Sequence, residues 1–358
     1  MLALREKGCR NVKSAVLHKY DEELTSPKFV TLEEIPNPKI EKGTDIIIRI
    51  GGAGVCRTDL HLIQGLWQHY MPVKLPHVLG HENAGWVEEI GKEVHHVKRG
   101  DAVICHTLIT DGYDLAARRG DDMHIDGGIF PGINANGGYA ELLKTGARSV
   151  VKLPAALAPK DVAPHADAGL TAYHAVKKAS RLLLPGQFAV IIGAGGLGHI
   201  GIQALRALCA ATIIVVDSNP AALELAGKIG ADHTVLADEE CVSKVLALTN
   251  GKGAEAVIDF VAEGNAINRG LAMTRNAGSY YIIGYGGELK TTTMEMIVTE
   301  KSIVGNLVGT YPDLVELMEL ADHGRVDLTT KEYKLADADK ALHDLNAGKV
   351  RGRAVLIP

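Results

Sequence analysis

The amino-acid sequence predicts an α/β protein of two domains, one rich in β-strands and one containing a doubly wound parallel sheet. At 358 residues, the chain is longer than a single ordinary hydrophobic core requires. Short strand-like runs separated by turns fill residues 14 to about 160. From about residue 168 to 309, strand patterns alternate with helical patterns, which is typical of a doubly wound sheet.

The β-rich part comes first along the chain. Apolar runs such as Asp45–Ile50 and Trp86–Ile90 are separated by turns such as Arg99-Gly100-Asp101, a pattern typical of a β-domain with long loops. The alternating part follows, with candidate strands at 187–192, 212–216, 233–236, 255–260, 279–284 and 302–307.

The last segment, residues 310–358, has helical patterns near 313–323 and 337–347 and a strand pattern at 353–357. Because the parallel sheet is already complete, this final strand is expected to return to the first domain. The expected domains are therefore 1–167 together with 310–358, and 168–309.

Composition and charge argue against several kinds of function. A net charge of -5 provides no basic surface for nucleic acid or an anionic membrane. The most apolar region, 182–216, is interrupted by Pro185 and by polar residues, so it is not expected to span a membrane. The first ten residues carry charges where a signal peptide needs an apolar centre, and the five cysteines lack the spacing of a disulfide framework. A cytoplasmic location is expected.

A glycine motif directly follows the apolar run Phe188–Ile192 and leads into a helical pattern. Glycines at this spacing permit a tight turn and a close approach of the backbone to a pyrophosphate, while the helix N-terminus offers N–H groups to the phosphates. The alternative is a glycine-rich turn without a ligand. The glycines of the motif are Gly193, Gly195, Gly196 and Gly198.

The next apolar run ends at Asp217. A carboxylate at this point can accept hydrogen bonds from both hydroxyls of an adenosine ribose and would repel a 2′-phosphate. Residues 218–222 include no Arg or Lys that could bind such a phosphate. The sequence therefore predicts NAD(H) as the cofactor.

Residues able to bind a metal occur in the β-rich part. The segment Gly54–His61 contains a thiol, a carboxylate and an imidazole, and Gly80-His81-Glu82 follows it. Thiolate and imidazole are preferred zinc ligands, and a catalytic zinc site needs three protein ligands with one open position. Each residue also has a structural interpretation: Cys56 as a small core residue, His81 as a loop histidine and Glu82 as a surface acid.

With these motifs, the chain from about residue 14 resembles the medium-chain, zinc-dependent alcohol dehydrogenases. The resemblance is carried by Cys56-Arg57-Thr58-Asp59-Leu60-His61, by Gly80-His81-Glu82 and by the glycine motif. It implies a GroES-like (chaperonin-10-like) catalytic domain and a Rossmann NAD-binding domain. It also implies oxidation of a primary or secondary alcohol to an aldehyde or ketone with NAD, by a homodimer or homotetramer.

The resemblance implies a role for each matching residue. Cys56 and His81 would bind the catalytic zinc, and Asp59 would hydrogen-bond to His81. Thr58 would take the alcohol proton, and His61 would pass it to solvent through the nicotinamide ribose. The other implied cofactor contacts are Arg57, Thr171 and Arg353.

The third zinc ligand departs from the commonest family pattern. Many members have Cys immediately before the segment that begins here with Ala168, whereas this chain has Asp167. Some secondary-alcohol and archaeal enzymes are similar in using Asp there. Asp167 is thus the expected third ligand, with Glu82 as a transient fourth; the alternative is that Asp167 caps the following helix.

One catalytic zinc and no structural zinc are expected. In relatives, a structural zinc is held by four cysteines in a lobe that corresponds to residues 106–136. Alanine and isoleucine at two of the four positions have no donor atom. The lobe is instead expected to be held by apolar packing, helped by Arg118 and Arg119 beside Asp121 and Asp122. The four positions are Asp111, Asp114, Ala117 and Ile125; a different metal site would use Asp111, Asp114, His106 and His124.

Two other functions remain open from the sequence. A zinc-free quinone or enoyl reductase of the same superfamily would not need Cys56 and His81. A non-catalytic, dinucleotide-binding structural or regulatory protein would not need Thr58 and His61. Trp67, between the two metal-binding motifs, either lines the substrate pocket or packs in the interior.

Overall fold

The computed structural model describes residues 11–358. The chain forms two compact units: the residues up to Asp167 together with Leu328–Pro358, and Ala168–Asp327. The first ten residues, which include Cys9 and carry the expectation about export, lie outside the described residues. Within residues 11–358, none of the helices has both the length and the apolar character needed to cross a membrane.

The first part of the chain, up to Asp167, is β-rich as predicted. Its helices are α1 (Arg57–Ile63), α2 (Leu115–Arg119) and α3 (Pro159–Val162). Short 3-10 helices lie at Asp122–His124, Ala147–Ser149 and Ala163–Ala166. The strands are β1 (Asn11–Leu17), β2 (Thr31–Pro36), β3 (Asp45–Val55), β4 (His77–Val78), β5 (Glu82–Ile90), β6 (Ala102–Cys105), β7 (Leu142–Gly146) and β8 (Val150–Lys152).

In the second unit, strands and helices alternate. The strands are β9 (Phe188–Ile192), β10 (Thr212–Asp217), β11 (His233–Leu236), β12 (Ala254–Asp259), β13 (Thr274–Ile282) and β14 (Ser302–Gly305). The helices are α4 (Ala168–Ser180), α5 (Gly198–Leu208), α6 (Pro220–Lys228), α7 (Cys241–Leu248), α8 (Ala266–Met273), α9 (Thr293–Thr299) and α10 (Tyr311–Asp322).

The last segment returns to the first unit and completes its main sheet. It contains β15 (Thr330–Lys334), a 3-10 helix at Leu335–Asp337, α11 (Ala338–Asn346) and β16 (Arg353–Ile357). The main sheet has the order β15-β16-β3-β5-β6-β8, with β7 also paired to β3, and a smaller sheet has the order β2-β1-β4. Strand β16 runs antiparallel to β3, which places Ala354 opposite Val55.

The sheet of the second unit is parallel throughout, with the order β11-β10-β9-β12-β13-β14. This is the strand order of a doubly wound nucleotide-binding fold. Its buried core joins strand residues such as Val190 and Ile214 to helix residues such as Val245 and Ile267. Strand β13 begins five residues before its predicted start at 279, because Thr274 already pairs with Ala254 beyond an irregularity in the ladder.

The expected domain boundary at residue 309 differs from the observed unit, which extends to Asp327. Helix α10 joins the second unit because it packs along α4. Asp313 Oδ2 lies 2.7 Å from His174 Nδ1, and its Oδ1 accepts a hydrogen bond from Lys177 Nζ at 2.8 Å. Leu314 and Leu317 on the same helix are fully buried. The first boundary, at 167, coincides with the expected one.

Candidate active site

The start of helix α1 positions several of the predicted residues. Cys56 is the N-cap residue, and its backbone N–H donates to Asp59 Oδ2 at 2.8 Å. A carboxylate at this position satisfies a backbone donor that the helix leaves unpaired. Cys56 and Asp59 are buried, whereas Thr58 and His61 are half-buried and Arg57 is exposed. The first two turns therefore carry both buried and solvent-accessible functional groups.

Four side chains that could bind a metal converge in the first unit. The ligand atoms of Cys56, His81, Glu82 and Asp167 all lie within 4.8 Å of one another. His81 Nε2 is 3.5 Å from Asp167 Oδ2, and the Asp167 side chain is 14% exposed while the other three residues are buried. These are the four residues that the sequence predicted as zinc ligands. They come from three separate segments of the chain.

The Asp59 carboxylate lies beside Nδ1 of the His81 ring. Asp59 Oδ1 lies 3.4 Å from His81 Nδ1, and Asp59 Oδ2 accepts a 2.7 Å hydrogen bond from the Tyr139 hydroxyl. Burial by itself lowers the pKa of His81, but the Asp59 and Asp167 carboxylates outweigh it and raise that pKa well above its ordinary value. Burial raises the pKa of Asp59, but His81 and the hydrogen bonds outweigh it, so this pKa is lowered.

Glu82 is fully buried at the start of β5. The neighbouring strand β3 has glycine opposite it, and a Cβ at Gly54 would clash with the Glu82 carboxylate. Arg353, at the start of β16, is 4% exposed and donates a hydrogen bond to Glu82 Oε1. Burial raises the pKa of Glu82, and the Arg353 charge offsets part of that effect. The expected contact of Arg353 with a cofactor stays a prediction.

The cluster fits a bound zinc ion in its chemistry and its spacing. Both ring nitrogens of His81 are buried and make no hydrogen bond within the described residues. Ligands held about 2.0–2.3 Å from one tetrahedral zinc ion lie about 3–4 Å apart, and the 3.5 Å between His81 Nε2 and Asp167 Oδ2 agrees with this. Thiolate, imidazole and carboxylate are the donors that zinc binds in proteins.

The lobe of residues 106–136 buries apolar side chains such as Met123 and Phe130, whereas its charged contacts differ from the expected ones. Asp114 caps α2 through the Ala116 N–H. Asp122 lies 3.5 Å from Arg148, and Arg118 donates to the Tyr113 carbonyl instead of pairing with an acid. Within residues 11–358, the cluster around Cys56 is the one group of three or more residues with metal-ligand spacing. The absence of a structural zinc stays a prediction.

The glycine motif of the second unit joins β9 to α5. Gly193 has a φ of +88°, and a Cβ at Gly198 would clash with the Gly193 carbonyl. Asp217, at the end of β10, lies beside this turn because its Oδ2 accepts a hydrogen bond from Ala194 N at 2.6 Å and its Oδ1 accepts one from Asn219 N at 2.7 Å. Thr171 is buried in α4.

Two contacts of the site have no signal in the sequence. The Tyr139 hydroxyl bonds to Asp59 across 80 residues, and Arg353 bonds to Glu82 across 271 residues. Tyr139 belongs to a Gly-Gly-Tyr-Ala-Glu segment that only marked the end of the lobe. Its aromatic ring predicts burial in the core, but nothing local indicates where its hydroxyl points.

Comparison with known proteins places both units in the class of zinc-binding dehydrogenases. Residues 42–155 match the alcohol dehydrogenase GroES-like domain, and residues 196–323 match the zinc-binding dehydrogenase family. The chain is 37% identical over 340 residues to the NAD-dependent alcohol dehydrogenase of Sulfurisphaera tokodaii, covering 92% of this chain and 97% of that one. It therefore belongs to the medium-chain, zinc-dependent alcohol dehydrogenase family.

Two further relatives agree with this membership. The alcohol dehydrogenase of the hyperthermophilic archaeon Aeropyrum pernix has a crystal structure similar to this one, with a TM-score of 0.92 and 44% identity, covering 97% of this chain and 100% of that chain. The D-arabinose 1-dehydrogenase (NADP(+)) of Saccharolobus solfataricus is 34% identical over 352 residues, or 97% of each chain. The predicted two-domain fold and the predicted family are confirmed.

Proposed function

We propose that this protein is an NAD-dependent alcohol dehydrogenase that interconverts a primary or secondary alcohol with an aldehyde or ketone. The observation that carries the proposal is the buried cluster of Cys56, His81, Glu82 and Asp167. A zinc-free reductase of the same superfamily would not need four converging side chains that can bind a metal. The name of the Sulfurisphaera tokodaii relative supports the same activity.

The preference for NAD is supported by the glycine turn and its acid. Asp217 lies beside the turn, where its carboxylate can meet the hydroxyls of an adenosine ribose. The relative named as an NADP(+)-dependent D-arabinose dehydrogenase gives a competing candidate of the same family. The two candidates differ in both cofactor and substrate.

Cys56, His81 and Asp167 would hold one catalytic zinc, with Glu82 as a transient fourth ligand. When bound, the metal supplies Lewis acidity at the substrate oxygen. The side chains of the protein move the proton: Thr58 Oγ1 takes it from the alcohol hydroxyl, and His61 passes it on towards solvent. A bound NAD would supply the hydride acceptor at C4 of its nicotinamide, so that the alcohol would lose two electrons and a hydride from the carbinol carbon and become a carbonyl compound.

The proposal is tested by following NADH absorbance over primary, secondary, aromatic and polyol alcohols, with D-arabinose as a competing substrate. We expect turnover of at least one alcohol with NAD, and loss of that turnover when zinc is removed by a chelator. Oxidation of the sugar alone, with NADP alone, would favour the competing candidate. Full activity in metal-free protein on a quinone would favour the reductase.

We further propose that the enzyme is a cytoplasmic homo-oligomer. Met294, Ile297 and Val298 on α9 are 68%, 71% and 68% exposed. The following strand, β14, forms one edge of the parallel sheet, and an exposed edge beside an apolar patch favours pairing with a second copy. Light scattering should give the mass of a dimer or tetramer, and Ile297→Glu should reduce that mass.

A further inference from the structure

Tyr139 packs against the segment that carries His81. Its ring lies so close to Gly80 that a Cβ there would clash with it, and its backbone N–H donates to the Leu79 carbonyl at 3.0 Å. The neighbouring Gly138 N–H donates to the Gly80 carbonyl at 2.8 Å. The ring and backbone of Tyr139 therefore have a packing role that phenylalanine could also fill.

The hydroxyl of Tyr139 has a separate role. Tyr139 is fully buried, and its hydroxyl donates to Asp59 Oδ2 at 2.7 Å. A second acceptor, the Gly54 carbonyl, lies farther away at 3.4 Å. Burial and the Asp59 charge raise the pKa of Tyr139 well above its ordinary value, so the hydroxyl keeps its proton and remains a donor.

The two oxygens of Asp59 are used differently. Oδ2 accepts the hydrogen bonds from Tyr139 and from the Cys56 N–H. Oδ1 accepts none from the described residues and lies 3.4 Å from His81 Nδ1. Two donors on one oxygen fix the rotation of the carboxylate, and this rotation directs the other oxygen at the imidazole. Groups behind a metal-binding histidine set its tautomer and its ring orientation.

We propose that Tyr139 is a positioning residue of the metal site: by holding Asp59, its hydroxyl keeps the His81 ring in the orientation that binds zinc. This inference rests on the proposed zinc-binding function. It assigns to the hydroxyl a contribution to metal affinity that is separate from the packing of the ring.

The second unit offers a matched control. Tyr280 is also fully buried, and its hydroxyl donates to Asp259 Oδ2 at 2.6 Å. Asp259 is buried as well, and the described residues give it no place in the metal cluster. Tyr139→Phe and Tyr280→Phe therefore each remove one buried tyrosine–aspartate hydrogen bond. The bond of Tyr139 connects through Asp59 to His81, a proposed zinc ligand, whereas the bond of Tyr280 belongs to the second unit.

The experiment measures the zinc dissociation constant of each variant by competition with a chromogenic chelator, and the melting temperature of the metal-free proteins. Loss of a group bonded directly to a ligand typically weakens metal binding by about 10–100-fold. Since Tyr139 is one bond farther away, we expect Tyr139→Phe to weaken zinc binding several-fold. Tyr280→Phe should leave zinc binding unchanged. It should lower the melting temperature of the metal-free protein by about as much as Tyr139→Phe does.

A second arm tests whether Tyr139 acts through Asp59. In an Asp59→Asn background, Tyr139→Phe should weaken zinc binding little further, because the two residues form one chain of contacts. Fully additive effects, or parental zinc affinity in Tyr139→Phe, would overturn the inference. If Tyr280→Phe weakened zinc binding as much as Tyr139→Phe does, the effect would come from a general loss of stability, and the inference would be overturned as well. If the parent protein binds no zinc, the proposed function fails together with the inference.

Discussion

Two buried polar groups, one in each unit, are satisfied in different ways. In the second unit, buried Asp259 accepts hydrogen bonds from the N–H groups of Val261 and Ala262 and from the Tyr280 hydroxyl. In the first unit, both ring nitrogens of His81 are buried without a hydrogen bond among the described residues. Unsatisfied buried polar atoms are rare in folded proteins. Asp259 is thus satisfied by protein alone, whereas the two ring nitrogens of His81 lie among the side chains that we propose to bind zinc.

The cofactor residues of the second unit extend this comparison. Asp217 is only partly buried and bonds to backbone N–H groups close to it in the fold. In the proposed metal cluster, His81 and Glu82 instead contact Asp59 and Arg353, side chains of distant segments in a buried site. Substitutions in the metal cluster should therefore abolish activity, whereas substitutions at Asp217 beside the glycine turn should change the preference for NAD over NADP.

The largest effect is expected from Asp167→Ala. This variant should lose zinc and activity together. Losing a group that only hydrogen-bonds to a metal ligand lowers metal affinity or activity by up to about 100-fold, and losing the ligand itself should lower both by more. The parent should contain close to one zinc per chain in elemental analysis, and two tightly bound ions would disprove the absence of a structural zinc. Asp161→Ala, which removes an exposed carboxylate nearby, is the control. If Asp167 only caps α4, zinc would remain and stability would fall by about 1 kcal/mol.

A smaller effect is expected at the glycine turn. Asp217→Gly combined with Ser218→Arg should shift the ratio of kcat/KM for NAD over NADP by about tenfold or more, because a hydrogen bond to a charged group contributes about 1.5–3 kcal/mol. Since Asp217 also accepts a hydrogen bond from Ala194 N, Asp217→Asn separates loss of charge from loosening of the turn. A parent that uses NADP as efficiently as NAD would contradict the assignment.

His61→Ala should leave the metal bound and slow proton release. A positioned proton-transfer group contributes about 10²–10⁴-fold, and a residue that only relays the proton should contribute less, about tenfold in kcat. The loss should be greatest at lower pH, where hydroxide is scarce. Stopped-flow measurement of proton release checks this, with His69→Ala, an exposed histidine on the next loop, as the control. Unchanged proton release at low pH would exclude the relay.

The last prediction concerns the stability of the second unit and not the activity. Burial raises the pKa of Asp313, but its bonds to His174 and Lys177 outweigh this and lower the pKa well below its ordinary value. A lowered folded-state pKa means that the stabilisation is complete above the unfolded value of about 3.9 and is lost as the pH falls below it. Asp313→Asn should cost about 1–3 kcal/mol at pH 6.

Urea unfolding of the parent and of Asp313→Asn at pH 6 and pH 3 measures this contribution. The difference between the two proteins should shrink at pH 3, because the Asp313 carboxyl of the unfolded chain, with a pKa of about 3.9, then binds a proton while that of the folded protein stays charged. Asp322→Asn, an exposed acid at the end of the same helix, should change stability by less than about 0.5 kcal/mol. A difference that is the same at both pH values would contradict the assignment to Asp313.

Features of this protein that depend on local sequence were predictable. The glycine turn, the strand at His233–Leu236 and the strand at Arg353–Ile357 lie where their patterns indicate. The metal cluster was identified through resemblance, because no periodicity connects Cys56 with Asp167. Helix α10 packs with the second unit, which its local pattern does not indicate, since its contacts with α4 depend on packing between elements that are distant in sequence. The Tyr139 and Arg353 contacts were missed for the same reason.

The return of β16 to the first unit has a consequence for synthesis on the ribosome. Strand β3 pairs with β16 at residues 53–55, and Glu82 obtains its guanidinium partner from the same strand. The ribosome must translate the whole of Ala168–Asp327 before it reaches that strand. The nucleotide-binding unit is contiguous and can fold as soon as it emerges. The unit that is begun first is therefore completed last, and until then β3 has an open edge at residues 53–55 and Glu82 lacks the guanidinium of Arg353.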